Sequence, residues 1–270
     1  YRNLFSSKPK VKTNILFWNN DYFSSFELLE SAFDLFYSIN SPKISIEDLK
    51  KEYFEHTTER DRIYEQDIRE PYTRDKNYYI HELYLKNGGK LKDKIRVCLV
   101  NKFVSLENIE ASVTGNPIVN PERVELFDQI WDHVSLIKEC DIFVMPELCL
   151  PHQLLTSYVD QSARNQIGFI SGIEHINLHN VGFNFLLTVL PVTVDGDKDC
   201  IPVFRLKNHY GPEEENWIRG KKITVPKPNP YRYDLFEWKG LYFSNYYCFE
   251  LADIFHRALF FSKVDAIFAP

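Results

Sequence analysis

The sequence predicts an α/β fold in which helices cover a mixed β-sheet. Three observations support this prediction. From about residue 93, short apolar runs typical of buried strands alternate with segments of helical periodicity. After residue 168, strand-like runs follow one another with turn residues between them, which favours antiparallel neighbours beside parallel ones. Apolar residues make up 44% of the 270 positions, enough for the core of one large or two modest domains.

The alternation of strands and helices between residues 95 and 173 predicts the parallel part of the sheet. Pro121 suits the first turn of a helix, and the apolar residues that follow recur on one helical face as far as Ile137. The predicted strands are Ile95–Val100, Ile142–Met145 and Gly168–Ile173, and the predicted helices are Pro121–Ile137 and Gln153–Gln166.

Turn residues divide the later part of the chain into further strands. Asp195, Gly196 and Asp197 predict one turn, and Lys239 with Gly240 predicts a hairpin. The predicted strands are Phe183–Val189, Ile201–Leu206, Leu235–Trp238, Leu241–Tyr246 and Ala266–Ala269, and the helix Asp253–Phe261 lies before the last of them.

Composition divides the chain into two regions. Residues 1–92 are interpreted as a helical, aromatic-rich extension or linker, because apolar residues recur at helical spacing from Phe26 to Phe36 and a charged stretch follows. Residues 93–270 are interpreted as one α/β domain. The chain begins without Met and ends directly after a predicted buried strand, so we expect a piece of a longer protein whose domain is truncated at its C-terminus.

Charge and cysteine spacing exclude several classes of protein. A net charge of -6 and a pI of about 5.8 disfavour a general polyanion binder. The sequence has neither a long apolar span nor a signal-peptide pattern, so no membrane is expected. Five widely spaced cysteines without a CxxC pair predict a reducing, cytoplasmic environment. His175 and His179 are separated by residues that disfavour a helix, so neither a metal nor another cofactor is predicted.

Three reactive side chains each follow an apolar run. Glu147, Lys207 and Cys248 would meet if their strands end on one side of a sheet, and a thiol, a base and a cation can perform acyl transfer. Cys248 lies at a predicted strand-to-helix turn, where the helix N-terminus is expected to lower the pKa of the thiol. Taken singly, each has a simpler interpretation: a buried apolar cysteine, a loop carboxylate and a lysine that reaches water.

The order and local contexts of these residues resemble the nitrilase superfamily of carbon–nitrogen hydrolases over about residues 93–270. The resemblance is carried by Pro146-Glu147-Leu148, Arg205-Leu206-Lys207 and Cys248-Phe249-Glu250-Leu251. Glu215, eight residues after the lysine and close to a Trp, resembles the second glutamate of many members. The resemblance implies an αββα sandwich, in which two mixed sheets are flanked by helices.

The resemblance also implies an amidase or nitrilase mechanism without a cofactor. Glu147 would be the general base, Cys248 the nucleophile that forms a thioester, and Lys207 the cation that stabilises the oxyanion. Glu215 would position the substrate or Lys207. Phe249, Glu250 and His209 are expected to line the substrate site. The implied partners are a small-molecule amide or nitrile and further copies of the chain in a homo-oligomer.

An alternative is a degenerate nitrilase-like module that oligomerises or regulates without turnover. Tyr246-Tyr247 before the cysteine is bulkier than expected for the family, which indicates a crowded pocket. The N-terminal extension resembles the linker of nitrilase-like domains fused to bacterial reverse transcriptases in antiviral defence. Nucleic acid would then bind only through a fused domain outside this chain, which has no YxDD motif. A plain nucleic-acid binder fits poorly with the acidic charge balance.

Overall fold

The computed structural model describes residues 78–85, 88–89, 91–137, 140–194, 196–228 and 230–270. The helices predicted before residue 71 lie outside these residues. The strands are β1 (Tyr78–Leu85), β2 (Val97–Leu99), β3 (Ile142–Val144), β4 (Gly168–Gly172), β5 (Ile176–Leu178), β6 (Val181–Phe183), β7 (Phe185–Val194), β8 (Asp197–Leu206), β9 (Tyr231–Trp238), β10 (Leu241–Asn245) and β11 (Ala266–Phe268).

The helices begin at clear sequence signals. The Asn120 side chain accepts a hydrogen bond from the Arg123 amide, and Pro121 occupies the first helical turn, as predicted. The α-helices are α1 (Leu106–Val113), α2 (Pro121–Leu136), α3 (Leu155–Asn165), α4 (Pro212–Gly220) and α5 (Ile254–Arg257), and 3₁₀ turns span His152–Leu154, Cys248–Ala252 and Ala258–Phe260.

Two β-sheets form the centre of the described region. The larger has the strand order β2-β3-β4-β7-β8, with parallel pairing from β2 to β4 and antiparallel pairing from β4 to β8. The smaller has the order β1-β9-β10-β11. Because β8 runs in the same direction as β3, the carboxyl ends of these two strands lie at the same edge of the five-stranded sheet.

Alternating side chains bury both faces of the five-stranded sheet. Ile142 and Val144 of β3 belong to a buried cluster that includes Phe236 of the four-stranded sheet. Phe143, which points to the opposite face, packs against Trp131 of α2 with ring centroids 4.9 Å apart. The five-stranded sheet therefore lies between a helical layer and the four-stranded sheet.

The four-stranded sheet is covered on its outer face by helical turns. Tyr233 and Tyr246 form a buried cluster with Leu259 and Phe260, which follow the short helix α5. The layers are thus helix, sheet, sheet and helix. The predicted fold class, mixed α/β with two sheets flanked by helices, is confirmed.

Several local predictions need correction. The sequence placed Tyr78–Leu85 in a helical extension, but these residues form β1 and pair in parallel with β9. The three consecutive acidic residues from Glu213 are typical of a solvated loop, but they lie in the first turn of helix α4. The helix predicted over Asp253–Phe261 is a one-turn helix followed by a 3₁₀ turn. In the described part of the chain, no helix is long and apolar enough to cross a membrane.

Candidate active site

Three strand ends bring an acid, an amine and a thiol together. Glu147 follows β3, Lys207 follows β8, and Cys248 follows β10 of the other sheet. The Cys248 thiol donates to Glu147 Oε2 at 3.4 Å, and Lys207 Nζ donates to Glu147 Oε1 at 2.7 Å. Glu147 therefore contacts both of the other groups, one with each carboxylate oxygen.

The backbone around Glu147 makes an abrupt turn at the end of β3. Leu148 adopts a left-handed backbone conformation with φ of 55°, which is uncommon for a residue with a side chain. Gly172 of the neighbouring strand allows this turn, because a Cβ atom there would lie 2.5 Å from the Leu148 amide nitrogen and 2.7 Å from Glu147 Cα. The close approach of these backbones fixes where Glu147 leaves the sheet.

Lys207 is the buried cation of the site, with only 1% of its surface exposed. Its ammonium group donates to Glu147 at 2.7 Å and to the two oxygens of Glu214 at 2.8 and 2.7 Å. The rings of Tyr210 and Tyr247 lie beside it, with centroids 4.9 and 5.3 Å from Nζ. Two carboxylates and two aromatic rings thus surround one positive charge.

These partners keep the lysine charged despite its burial. Burial acts to lower the pKa of Lys207, but Glu147 and Glu214 outweigh it and raise the pKa above the ordinary value. Burial raises the pKa of Glu214, and the nearby Lys207 opposes that effect. The site therefore holds an ammonium group at neutral pH.

Cys248 is the exposed member of the site. Partial burial of its thiol and the charge of Glu147 raise the pKa of Cys248, and Lys207 acts in the opposite direction. The predicted lowering by a helix N-terminus is therefore wrong, because only a short 3₁₀ turn begins at Cys248 and a carboxylate faces the thiol. The thiol is protonated at rest and needs an adjacent base to become a nucleophile.

Asn184 joins the glutamate to the lysine strand. Its side-chain amide donates to Glu147 Oε1 at 3.3 Å. Its backbone carbonyl oxygen accepts from the Lys207 backbone amide at 2.9 Å. Asn184 is fully buried, so its position is fixed by the strands around it. This residue orients Glu147 toward the other two groups.

The second glutamate at the lysine is Glu214, not the predicted Glu215. Glu215 pairs with Arg219 at 2.6 Å and with Lys227 at 3.0 Å on the outer side of helix α4. Glu214 turns back toward the helix start and also accepts from the Gly211 amide at 3.3 Å. Helix α4 begins at Pro212, so adjacent residues point in different directions and only one can reach Lys207.

Glu250, predicted to contact the substrate, is a buried structural carboxylate. It has no exposed surface and forms a two-pronged ion pair with Arg205, whose guanidinium nitrogens lie 2.9 and 2.8 Å from its oxygens. Burial opposes ionisation of Glu250, but Arg205 and backbone amides lower its pKa below the ordinary value. A substrate cannot reach this carboxylate.

Phe249 and His209 lie at the edges of the site. Phe249 follows the nucleophile candidate, is 38% exposed, and packs beside Gly211. The His209 ring stacks on His256 with centroids 4.7 Å apart, and it is tilted by 50° against Tyr231 of the four-stranded sheet with centroids 4.3 Å apart. A substrate-lining role for these two residues stays a prediction.

A cavity of about 270 Å³ lies elsewhere, and its lining includes Ser112, His152, His175 and Asn177. Complete burial, with a contribution from the charge of Lys207, lowers the pKa of His175 to about 3. This imidazole is therefore neutral at physiological pH. The reactive cluster at Glu147 remains the better candidate for acyl chemistry, because it combines a nucleophile with a base and a cation.

Comparison with known proteins finds similarity at the level of structure. No protein-family model and no curated protein matches the chain. An amidase from Nesterenkonia sp. is 16% identical with a TM-score of 0.41, and the match covers 65% of this chain and 64% of the amidase. The chain thus spans less than two thirds of that protein's length.

Two further solved structures give a similar result. A variant of the Nesterenkonia sp. AN1 amidase, with the acetamide moiety of fluoroacetamide added covalently to its active-site cysteine, is 15% identical with a TM-score of 0.43 and 67% coverage of each chain. A CN-hydrolase superfamily protein from Xanthomonas campestris, with an arsenic adduct in its active site, is 14% identical with a TM-score of 0.34 and 48% coverage of each chain. Similarity this low does not establish a shared family.

Proposed function

We propose that this chain is a carbon–nitrogen hydrolase of the amidase or nitrilase type that acts through a thioester at Cys248. One observation carries the proposal: a single carboxylate, Glu147, lies 3.4 Å from the thiol and 2.7 Å from the Lys207 ammonium. A base next to both a nucleophile and a cation is the arrangement that acyl transfer from an amide requires. The substrate class is a small amide or nitrile.

In the first step, Glu147 takes the proton of the Cys248 thiol while the sulfur attacks the amide carbon. A carbon–sulfur bond forms, and the carbonyl oxygen gains the negative charge. Because the pKa of the resting thiol is raised, the thiolate appears mainly as the proton leaves to Glu147. The nearby base is therefore essential to the nucleophile.

Lys207 and a backbone amide after Cys248 would stabilise the oxyanion. The Phe249 amide lies in the first turn of the 3₁₀ segment that begins at Cys248, where an amide has no partner within the segment and is available as an outward donor. Lys207 is held in place before any substrate binds, because Glu147 and Glu214 contact it from two directions. A cation that needs no rearrangement is the most effective form of this stabilisation.

The remaining steps use Glu147 again. The protonated Glu147 gives its proton to the leaving nitrogen, the carbon–nitrogen bond breaks, and an amine or ammonia departs. Glu147 then takes a proton from water, whose oxygen attacks the thioester carbon. The carbon–sulfur bond breaks, the sulfur regains a proton, and the acid is released. Glu214 holds Lys207 throughout this sequence.

Ammonia release from a panel of short aliphatic amides and nitriles tests the proposal. Cys248→Ala is expected to abolish release, because no other side chain at the site can form the thioester, and the loss should exceed roughly 10³-fold. Cys98→Ser is the matched control, since Cys98 is half-buried on β2 and belongs to no part of the cluster. It should leave the rate unchanged.

The alternative is a degenerate module that keeps the fold without turnover. Absence of release by the parent chain across the panel, with the fold intact by circular dichroism, would favour that alternative. The homo-oligomer, the cytoplasmic location and the fusion to a reverse transcriptase in antiviral defence remain predictions.

A further inference from the structure

The nucleophile and the cation of the site come from different sheets. Lys207 follows β8 of the five-stranded sheet, whereas Cys248 follows β10 of the four-stranded sheet. Among the described residues, no ladder of backbone hydrogen bonds joins the two sheets and fixes one group relative to the other. Their separation must therefore depend on individual contacts between the two segments.

The Glu250 carboxylate makes three of these contacts, and all three reach the turn that carries Cys248. Other contacts reach the sheet before that turn: Arg205 contacts the Asn245 carbonyl oxygen and Asp234, and Asn208 exchanges two hydrogen bonds with the backbone of Arg232. Glu250 Oε1 accepts from Arg205 Nη1 at 2.9 Å and from the Asn208 amide at 2.7 Å. Glu250 Oε2 accepts from Arg205 Nη2 at 2.8 Å and from the Tyr247 amide at 2.9 Å. Each oxygen thus receives one guanidinium donor and one backbone donor.

The donors flank the two reactive residues. Arg205 and Asn208 lie on either side of Lys207, two residues before it and one after it. Tyr247 lies directly before Cys248. Through one side chain, the segment that carries the cation is tied to the turn that carries the nucleophile.

We propose that Glu250 is a positioning residue that holds the Cys248 thiol within reach of Glu147 and Lys207. This inference rests on the proposed function, because it assumes that the thiol must act beside these two groups. Glu250 does not contact the substrate, since it is fully buried. It acts through the segments that it joins.

The carboxylate form is necessary for this role. Glutamine has one accepting oxygen and one amide nitrogen, and the nitrogen cannot accept from a backbone N–H. Glu250→Gln would therefore release either the Asn208 segment or the Tyr247 turn, and it would remove the charge that pairs with Arg205. The thiol would then move relative to Glu147.

A second buried pair provides a matched control. Glu174 is also buried at 1% exposure and is paired with Arg123. This pair joins α2 to the segment after β4, and neither residue flanks Lys207 or Cys248. Glu174→Gln therefore removes a buried charge of the same kind without releasing the site.

The test measures the pKa of Cys248 from the pH dependence of its alkylation by iodoacetamide, followed by peptide mass spectrometry. In the parent chain, Glu147→Gln removes a charge that raises this pKa, so it is expected to lower the pKa and to increase the alkylation rate below the pKa about tenfold. In the Glu250→Gln background, the same change should increase this rate less than about threefold. In the Glu174→Gln background, the full tenfold increase should remain.

A tenfold increase that persists in the Glu250→Gln background would overturn the proposal. If that variant does not fold, Glu250→Asp takes its place, because the shorter carboxylate keeps the charge but cannot span both segments. Failure of both variants to fold would also contradict the proposal, since Glu250 would then be a requirement of the fold and not of the site.

The alkylation readout needs no amide turnover. If the parent chain releases no ammonia from any amide but Glu250→Gln still weakens the coupling between Glu147 and Cys248, the hydrolase proposal fails and the positioning role stands. If ammonia release is normal and the coupling is unchanged, the positioning role alone fails.

Discussion

The two sheets bring their reactive groups to the site in opposite states. The five-stranded sheet contributes Glu147 and Lys207, which are locked in a cluster of ion pairs with Glu214. The four-stranded sheet contributes Cys248 on an exposed turn, with its thiol donating to one carboxylate oxygen. The charges are therefore organised in advance, whereas the thiol is left accessible from solvent.

This difference follows from the chemistry of each group. A buried ammonium group is costly unless carboxylates surround it, so Lys207 must be paired for the chain to fold. A thiol is neutral at rest and needs no partner to be tolerated at a surface. Variants of the charged cluster should therefore change both stability and activity, whereas variants at the thiol should change activity alone.

Removal of the Lys207 cation has the largest expected effect, because it changes both ammonia release and stability. Lys207→Met is expected to lower ammonia release roughly 10²- to 10³-fold, because the oxyanion loses its cation. It should also reduce the free energy of unfolding at pH 7 by about 3 kcal/mol, because Glu147 and Glu214 are left facing each other. Urea unfolding at pH 7 and pH 5 measures the second effect.

The stability loss of Lys207→Met should depend on pH, and the carboxylates left without their cation determine its sign. Burial raises the pKa of Glu214, and Lys207→Met removes the cation that opposes this effect, so Glu214 takes up a proton more readily and the stability loss should shrink as the pH falls from 7 to 5. Lys227→Met is the control, because Lys227 is 66% exposed and pairs with Glu215 outside the cluster. Parental turnover in Lys207→Met would contradict the role of the cation.

Substitution of the two neighbouring glutamates separates the charged cluster from the protein surface. Glu214→Gln removes one of the two charges that hold Lys207, and we expect kcat/KM to fall about tenfold. Glu215→Gln changes only a surface pair with Arg219 and Lys227, so its effect should stay within about twofold. The reverse order of effects would show that the structure assigns the wrong glutamate to the site.

Parts of the fold and site could be predicted because they depend on local sequence. Glu147, Lys207 and Cys248 each follow an apolar run, and a polar residue after a buried strand is informative by itself. The strands and the helix at Pro121 follow from periodicity and capping residues. The same patterns predict helices over a mixed sheet, whereas the arrangement in two sheets is implied only by the family resemblance.

Other parts depend on groups that meet only in three dimensions. The choice between Glu214 and Glu215 is set by where helix α4 begins, and a run of acidic residues does not reveal that position. The pKa of Cys248 is raised by partial burial and by Glu147, which reaches the thiol from a distant part of the sequence. Glu250 follows the cysteine closely, but its buried pairing with Arg205 arises from contact between the two sheets.

Trapping of an acyl group on Cys248 distinguishes a hydrolase from a module without turnover. The parent chain is incubated with short aliphatic amides, quenched in acid and mapped by peptide mass spectrometry with and without hydroxylamine. The hydrolase proposal predicts one hydroxylamine-sensitive acyl adduct, located on Cys248 and absent in Lys207→Met. If iodoacetamide labels Cys248 but no amide leaves an acyl group on it, or if Lys207→Met acylates as fast as the parent, the claim is contradicted.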